Sequence, residues 1–356
     1  MNWQYPFDFS NPLEPNIRGE LQLASPRTYT LRDGSISAYR KGVVSLHAGS
    51  QLELVLYHNP DTQALFYLSK VRLNDLLRSF LNLSSDHPAS DLHMLLPGQF
   101  ILGSSRTRVV HDAISGVFQA PQWTTQFDDV ASDEILVFPI LREGVKYGIP
   151  EALLQHHDLL ADEILVDAHH VDDPTIPGYG RRTEITMFKD KDLTNKQRES
   201  VKVAAVGDSI ASGTVIITVI EELRQRYANL NRIEVIAPLA ALRGLARIAS
   251  KAATDVSIRI HAFESVINAL APDFYWSAHY SDAGFHFDPE IARSYRNWWG
   301  KDGAGNWIGD TACAGYGWSE AFFNPRKHLS MIRQQLAERH DLTAADLVQR
   351  RIAMAR

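Results

Sequence analysis

The amino-acid sequence predicts an α/β protein in which a mostly parallel sheet is flanked by helices. From about residue 133 onwards, short apolar runs typical of buried parallel strands alternate with segments of helical periodicity. Before that point, apolar and polar residues alternate with a period of two, which is typical of antiparallel strands. We therefore divide the 356-residue chain into a β-rich N-terminal section, residues 1–130, and an α/β section, residues 131–356, which ends in an aromatic-rich helical extension.

The N-terminal section is predicted to be an antiparallel meander followed by a helix. Alternating apolar residues predict strands over 36–48, 51–58 and 64–70. The polar stretch 58–62, which contains Asn-Pro, favours a turn between the last two strands. Apolar residues at helical spacing then predict a helix over 71–83.

The α/β section is predicted from strands that alternate with helices, the pattern of a parallel sheet with crossover connections. Strands are predicted over 134–140, 163–166, 184–188, 201–206, 232–238 and 256–263, and helices over 145–156, 213–227, 240–252, 325–339 and 342–355. Thr343, with Asp346 three residues later, resembles the start of a capping box for the last helix. Five of the seven tryptophans lie beyond residue 265.

Composition and charge exclude several classes of protein. Hydrophobic residues make up 45% of the chain and charged residues 22%, so the chain is neither disordered nor fibrous. The formal net charge is -6 and there is no basic block, whereas binding to duplex DNA or to a membrane surface needs clustered cations. We therefore expect neither a nucleic acid nor a membrane as a partner.

Cysteine usage and the first residues indicate the compartment. The single cysteine, Cys313, excludes a disulfide framework and a cysteine-rich metal centre, and it fits a reducing environment. Residues 1–10 are polar and aromatic and lack the pattern of a signal peptide. No apolar stretch approaches the ~18 residues that a membrane-spanning helix needs. We therefore expect a soluble, cytoplasmic protein.

The most informative segment is 201–214, where an apolar strand runs into a loop of small residues and then a helix. Backbone N–H groups and a helix N-terminus would point outward from the carboxyl edge of the sheet, which favours binding of a phosphate. Ser212 and Thr214 can add hydroxyl donors, and Asp208 can hold ribose hydroxyls or Mg²⁺. A plain strand-to-helix turn is the alternative, although four small residues in succession and an acid exceed what a turn requires.

Two motifs in this section resemble a known family. Val206–Thr214 resembles the motif with which type I phosphoribosyltransferases bind 5-phosphoribosyl 1-pyrophosphate (PRPP). Phe138–Gly144 is similar to the Pro-Ile-Leu-Arg-x-Gly loop of uracil phosphoribosyltransferases, whose arginine contacts the pyrophosphate end of PRPP. The resemblance covers roughly 133–263, about a third of the chain. It implies a type I phosphoribosyltransferase-like sheet, a homodimer and Mg²⁺ as cofactor.

The resemblance also implies a reaction and a set of site residues. A nitrogen of a uracil-like or other planar heterocycle, or of an amide, would attack the anomeric carbon of PRPP and release pyrophosphate. The N-terminal section and the tryptophan-rich tail differ from a housekeeping uracil enzyme and favour an acceptor of specialised metabolism. Arg142 and Asp208 would be catalytic, with Asp208 also a metal ligand. The residues expected to bind PRPP are Arg142, Glu143, Gly144, Asp208, Ser209, Ala211, Ser212, Gly213 and Thr214.

The sequence departs from the family pattern at two positions. The first acid of the family's usual acidic pair is Gly207 here, so only Asp208 remains of the pair. Val215 stands where the loop usually ends in Thr or Ser, and Thr214 is the substitute. The loss of the first acid favours the alternative of a non-catalytic PRPP- or nucleotide-binding regulator, whereas the retained arginine loop favours an enzyme.

Two further segments correspond to family features more loosely. Residues 172–188 fill the place of a mobile hairpin that closes over substrate, and Arg181 and Arg182 would reach phosphate there; a solvated surface pair is the alternative. Residues 307–317 correspond to the loop that reads the base, with Gly309 and Asp310 as candidate base-binding residues. For the aromatic tail, core packing or a dimer contact stays open beside base stacking.

Other enzyme classes fit the sequence less well. Gly207-Asp208-Ser209 matches the first block of Gly-Asp-Ser esterases, in which Ser209 would be the nucleophile and would need an Asp-x-x-His downstream. The tetrad 167–170 lies upstream instead. No glycine fingerprint of a dinucleotide-binding domain follows the early strands. His169 and His170 are adjacent, and no third metal ligand is evident.

Overall fold

The computed structural model describes ten stretches of the chain. They are residues 3–11, 14–83, 93–175, 181–190, 192–251, 255–267, 269–270, 275–276, 288–309 and 319–348. Among these residues, no helix combines the length and the apolar character that crossing a membrane requires.

The N-terminal section contains seven strands and four helices within the described residues. The strands are β1 (Trp3–Asn11), β2 (Glu14–Leu23), β3 (Arg27–Thr30), β4 (Ile36–Leu46), β5 (Gln51–His58), β6 (Leu68–Arg72) and β7 (His93–Pro97). The helices are α1 (Pro60–Phe66), α2 (Asp75–Phe80), α3 (Gly103–Phe118) and α4 (Pro121–Phe127).

The remaining elements belong to the α/β section. The strands are β8 (Ile135–Leu141), β9 (Asp162–Glu163), β10 (Val166–Asp172), β11 (Arg181–Phe188), β12 (Val203–Gly207), β13 (Arg232–Ile236), β14 (Ala240–Ala241), β15 (Ser257–Phe263), β16 (Val266–Ile267), β17 (Ala269–Leu270) and β18 (Tyr275–Trp276). The helices are α5 (Ile149–His157), α6 (Asn195–Ser200), α7 (Thr214–Arg226), α8 (Leu242–Lys251), α9 (Pro289–Trp299), α10 (Glu320–Phe323) and α11 (Pro325–His340).

One large sheet organises these elements, and its middle strands are parallel. The strand order is β1-β2-β4-β5-β15-β13-β12-β8-β10-β11, with β3 on β4 and β9 on β8. From β5 through β10 all neighbouring pairs are parallel, whereas β1, β2, β4 and β11 extend the two ends in antiparallel fashion. The predicted α/β architecture, a mostly parallel sheet flanked by helices, is therefore present.

The two faces of the sheet are buried in two separate cores. Ile135 and Val137 of β8 pack into a cluster that includes side chains of α3 and α5. Leu136 and Phe138, which alternate with them, pack into a second cluster with α7 and α8. Because both faces of β8 are covered, its sequence is a continuous apolar run without alternation.

Strands β1 to β5 of the N-terminal section belong to this sheet, so the sheet crosses the expected boundary at residue 130. β5 pairs in parallel with β15. A buried chain of polar groups also joins them: the Tyr57 hydroxyl and His261 Nδ1 lie 2.8 Å apart, and His261 Nε2 lies 2.7 Å from Glu234 Oε2 on β13. The division into residues 1–130 and 131–356 stays a prediction.

Most predicted elements of the α/β section are present. Five of its six predicted strands correspond to β8, β11, β12, β13 and β15, whereas the run 163–166 spans the break between β9 and β10. The helix predicted over 145–156 begins only at Ile149, because Gly148 adopts a left-handed backbone with φ of 65°. At the start of the helix predicted over 342–355, which is described as far as residue 348, Thr343 N donates to Asp346 Oδ2 at 2.6 Å and Asp346 N donates to Thr343 Oγ1 at 3.3 Å, which confirms the capping box.

The expected strand over 64–70 is wrong, because its first half is the end of helix α1. Asn59 and Pro60, interpreted above as turn residues, are the N-cap and the first residue of that helix. The strand that follows, β6, pairs with β7 in a separate two-stranded sheet. The helix expected over 71–83 is correspondingly short and covers Asp75–Phe80.

Replacing Asn59 with Ala is expected to lower the free energy of unfolding by about 2 kcal/mol, the upper end of capping effects. Asn59 Oδ1 accepts hydrogen bonds from the backbone N–H groups of Asp61 and Thr62, and Nδ2 donates to the buried carbonyl of Ala113. Asn74→Ala, at the exposed cap of α2 with a single cap bond, is the control and should cost about 1 kcal/mol. Urea denaturation of both variants measures the difference; equal costs would contradict the role of the Ala113 bond.

Candidate functional site

The two motif loops leave the same edge of the sheet side by side. β12 pairs in parallel with β8, and Gly207 lies opposite Pro139. A Cβ atom at Gly144 would lie only 2.2 Å from the carbonyl oxygen of Gly207, so the two loops touch through their backbones. The glycine that ends the arginine loop, Gly144, is therefore required by the packing of the two loops against each other.

The structure shows what surrounds Gly207, the position at which the motif that this loop resembles has an acid. A Cβ atom at this position would lie 3.0 Å from Ile149 Cδ1 and 3.3 Å from Tyr147 Cδ2, so a side chain here would require these two neighbours to shift by a few tenths of an ångström. A second carboxylate comes instead from the neighbouring loop. Glu143 is buried, and its Oε1 accepts a hydrogen bond of 3.1 Å from the backbone N–H of Ser209.

Glu143 and Asp208 influence each other's protonation. Burial raises the pKa of Glu143, although hydrogen bonds from Ser209 and the charge of Arg106 oppose this. Burial also raises the pKa of Asp208 well above its usual value, and the charge of Glu143 raises it further. Each carboxylate makes ionisation of the other less favourable, and a divalent cation between them would remove this penalty. The pair suits Mg²⁺, which is commonly held by one or two carboxylates together with phosphate oxygens of a substrate.

The raised pKa values predict a particular pH dependence. An acid whose pKa is raised on folding binds its proton more tightly in the folded state, so its contribution to stability falls as pH rises from the unfolded pKa through the folded one. Asp208→Asn is therefore expected to raise the melting temperature at pH 7 to 8 and to flatten its dependence on pH. Thermal melts from pH 4 to 8, without Mg²⁺, measure this; a lower melting temperature at pH 7 would contradict it.

The loop between β12 and α7 has the form of an anion site. Gly213, the N-cap of α7, has φ of 77°. The structure shows no acceptor among the described residues for the N–H groups of Ala211, Ser212 and Gly213. The hydroxyls of Ser212 and Thr214 lie 3.1 Å apart. With the positive end of the α7 dipole behind it, this loop can bind a phosphate.

The loop geometry depends on close packing against α8. A Cβ atom at Gly244 would lie 2.4 Å from the Ala211 carbonyl oxygen, and one at Gly213 would lie 2.7 Å from the Gly244 carbonyl oxygen. Arg247 Nη1 donates to the Ser212 carbonyl at 3.0 Å. These contacts hold the carbonyl oxygens of Ala211 and Ser212 against α8, whereas the N–H groups of the loop have no acceptor among the described residues.

A cleft of about 550 Å³ lies in front of both loops. This volume is in the range of ligand sites. Its lining includes the predicted residues Arg142, Glu143, Asp208, Ser209, Ala211, Ser212 and Gly213. Other wall residues come from β10 and from the C-terminal helices, and neither of the two phosphate-binding motifs includes them: Asp167, His169, His170, Ser319, Glu320, Lys327 and Met331.

Arg142 lies at the mouth of the cleft, with 70% of its side chain exposed. Its Nη1 is 3.4 Å from Oε1 of Glu320, and Glu320 is the first residue of α10. Lys327 Nζ contacts the same oxygen at 2.7 Å. The arginine of the motif is therefore accessible from solvent and holds an anionic oxygen.

The structure does not bring all predicted site residues to this cleft. Arg182 is paired with Asp173 at 3.4 Å and with Glu184, and it is not among the described residues that line the cleft. Arg181 lies opposite Asp172 in the β10–β11 hairpin. The role of both arginines in closing over substrate stays a prediction.

The candidate base-reading loop is described only in part. Gly309 is buried, and a Cβ atom there would lie 2.8 Å from Trp299 Cδ1. Trp298 and Trp299 pack in the core against Phe100, so for these two tryptophans core packing is the observed role. Asp310 and Cys313 lie outside the described residues, and a base-binding role of Gly309 and Asp310 stays a prediction.

The geometry can also be compared with two alternative interpretations of the site, a serine esterase and a metal centre formed by protein side chains. Within the described residues, the Ser209 hydroxyl interacts with Tyr147, at 3.4 Å, and with the carboxylate of Glu143, and no histidine contacts it, so the structure shows no serine activated by a histidine. No group of three or more His, Cys, Asp or Glu side chains in the described part of the chain could hold a metal ion. A metal at Asp208 and Glu143 would thus need further ligands from water or from a substrate.

Comparison with known proteins gives a weak structural similarity and no match by sequence. No protein-family model and no curated protein matches the chain. Among solved structures, the chain is similar to a hypoxanthine phosphoribosyltransferase from Staphylococcus aureus, at 14% sequence identity and a TM-score of 0.30. The similarity covers 43% of this chain and 73% of that chain. A similarity this weak carries no argument about activity or substrate.

Proposed function

We propose that this protein is a PRPP-dependent phosphoribosyltransferase that transfers the 5-phosphoribosyl group to a nitrogen of a planar heterocycle or amide. One observation carries the proposal: a loop whose N–H groups have no acceptor among the described residues, an exposed arginine and a carboxylate pair meet in one cleft at the carboxyl edge of a parallel sheet. Ligands of open α/β sheets bind at this edge. A doubly phosphorylated sugar needs these three kinds of group.

In the proposed complex, each part of PRPP has its own contact. The 5′-phosphate binds the loop of Ala211 to Thr214, the ribose lies near Asp208, and the pyrophosphate faces Arg142. Asp208, with Glu143 beside it, would hold Mg²⁺ together with substrate oxygens, and bound Mg²⁺ would neutralise negative charge on the pyrophosphate.

The proposed reaction needs positioning and charge stabilisation more than strong base chemistry. The acceptor nitrogen forms a bond to the anomeric carbon while the bond from that carbon to the pyrophosphate oxygen breaks. Pyrophosphate leaves with the bonding electron pair, and the nitrogen releases its proton to water. Arg142 stabilises the charge that develops on the leaving group, and Glu143 orients the loop by accepting from Ser209 N–H.

Calorimetry with PRPP and Mg²⁺, followed by a pyrophosphate-release screen over uracil-like bases, other heterocycles and amides, tests the proposal. Binding of PRPP with acceptor-dependent release of pyrophosphate is the expected result. Binding without release over the whole screen would instead indicate a PRPP-binding regulator, the alternative that the missing first acid favours. Absence of PRPP binding would overturn the proposal.

A further inference from the structure

The C-terminal helices contribute an anion and a cation to the cleft that the sequence motifs do not contain. Glu320 begins α10 and Lys327 lies in the first turns of α11. Both line the cleft beside Arg142. A single oxygen, Glu320 Oε1, contacts Lys327 Nζ at 2.7 Å and Arg142 Nη1 at 3.4 Å.

We propose that Lys327 is a second cationic ligand for the pyrophosphate of PRPP, and that Glu320 holds the place of a pyrophosphate oxygen while no substrate is bound. This inference rests on the proposed function. An oxygen with negative charge already lies between the two cations, so the geometry needed to bind a phosphate oxygen exists without rearrangement of the backbone. Lys327 acts as a point charge, and Arg142 supplies the planar donors.

The exposure of the three groups indicates that the carboxylate can be displaced. Lys327 is 57% exposed and Arg142 70% exposed, whereas Glu320 is 14% exposed. Ion pairs with such exposed cations contribute only about 0 to 1 kcal/mol. Pyrophosphate carries several negative charges and more oxygen acceptors than one carboxylate, so it competes effectively for both cations.

The helices do not depend on this ion pair for their position. Ala321 and Phe322 of α10 are buried, as are Leu329 and Ile332 of α11, and all four belong to the core cluster on one face of the sheet. Burial of apolar side chains of this kind stabilises far more than an exposed ion pair does. A purely structural role for Glu320 is therefore not required.

The proposal predicts opposite effects of two substitutions on pyrophosphate binding. Glu320→Gln removes the competing charge, so affinity for Mg²⁺-pyrophosphate should rise by about 3- to 10-fold, the equivalent of about 1 kcal/mol. Lys327→Met removes a ligand, so affinity should fall by a similar factor. If Glu320 only fastened α10 to the cleft, Glu320→Gln would lower the affinity instead.

Titration calorimetry of the full chain with three probes tests this: Mg²⁺ with inorganic pyrophosphate, Mg²⁺ with PRPP, and ribose 5-phosphate. Ribose 5-phosphate lacks the pyrophosphate, so both variants should bind it like the wild type. The matched controls are Glu338→Gln, on the exposed side of α11, and Lys196→Met in α6; both residues are exposed and neither lines the cleft. Thermal melts check that the variants are folded.

The binding affinities of the two variants distinguish a pyrophosphate ligand from a structural ion pair. Tighter pyrophosphate and PRPP binding by Glu320→Gln, with weaker binding by Lys327→Met, supports the proposal. Unchanged or weaker binding by Glu320→Gln, or unchanged binding by Lys327→Met, overturns it while leaving the proposed function intact, provided that the wild type binds PRPP. A wild type that binds neither PRPP nor pyrophosphate overturns the proposed function and this inference together.

Discussion

Arg142→Ala is expected to lower kcat/KM for pyrophosphate release by about 10²- to 10³-fold, the usual effect of removing one donor to charge that develops in a transition state. The melting temperature should change little, because the side chain is 70% exposed and its ion pair with Glu320 contributes about 0 to 1 kcal/mol at most. Steady-state kinetics with saturating acceptor, together with a thermal melt, separate the two effects.

Two further variants make this result interpretable. Arg142→Lys keeps the positive charge and loses the planar pair of donors, so an intermediate loss of activity is expected. Arg224→Ala removes an arginine on α7 that is paired with Asp255 at 2.7 Å and does not line the cleft, and it should keep full activity. Normal turnover by Arg142→Ala would remove the arginine loop from the proposed mechanism.

Gly213→Ala is expected to abolish detectable PRPP binding and to lower stability. Its backbone φ of 77° costs an alanine about 1 to 3 kcal/mol. The added Cβ would also lie 2.7 Å from the Gly244 carbonyl oxygen, a backbone atom that cannot give way without moving α8. Either response shifts the N–H groups that would hold the 5′-phosphate. Calorimetry with PRPP and urea denaturation measure the two losses.

Gly34→Ala is the matched control for the backbone strain alone. Gly34 also has a left-handed backbone, with φ of 86°, but a Cβ atom there meets nothing within 4 Å. This variant should show the loss of stability from strain and keep PRPP binding. A Gly213→Ala protein that binds PRPP like the wild type would contradict the phosphate role of the loop.

Local patterns predicted the elements whose sequence constrains one outcome. The apolar run of β8 and the small-residue loop before α7 were identified from a few consecutive residues, and both are present. The turn predicted over 58–62 was wrong, because Asn and Pro favour both a turn and the start of a helix. The choice between them depends on Asn59 Nδ2 bonding to Ala113 on α3, 54 residues away.

The replacement of the missing acid illustrates a limit of motif comparison. At Gly207 the sequence showed only that one carboxylate of the usual pair was absent. The structure places Glu143, from the other motif, against the N–H of Ser209 and close enough to raise the pKa of Asp208. A comparison position by position along one motif does not detect a side chain that arrives from an adjacent strand.

The α/β class, the two motif loops and the cleft residues within those loops could be predicted from the amino-acid sequence, because strand periodicity and loop composition are local properties. Three arrangements are visible only in the folded chain: strands β1 to β5 extend the parallel sheet, Glu143 lies beside Asp208, and Glu320 and Lys327 complete the cleft next to Arg142. Those arrangements join residues far apart in the chain, and they follow from how the strands are ordered and how closely the loops pack. Neither property is encoded in any single stretch of sequence.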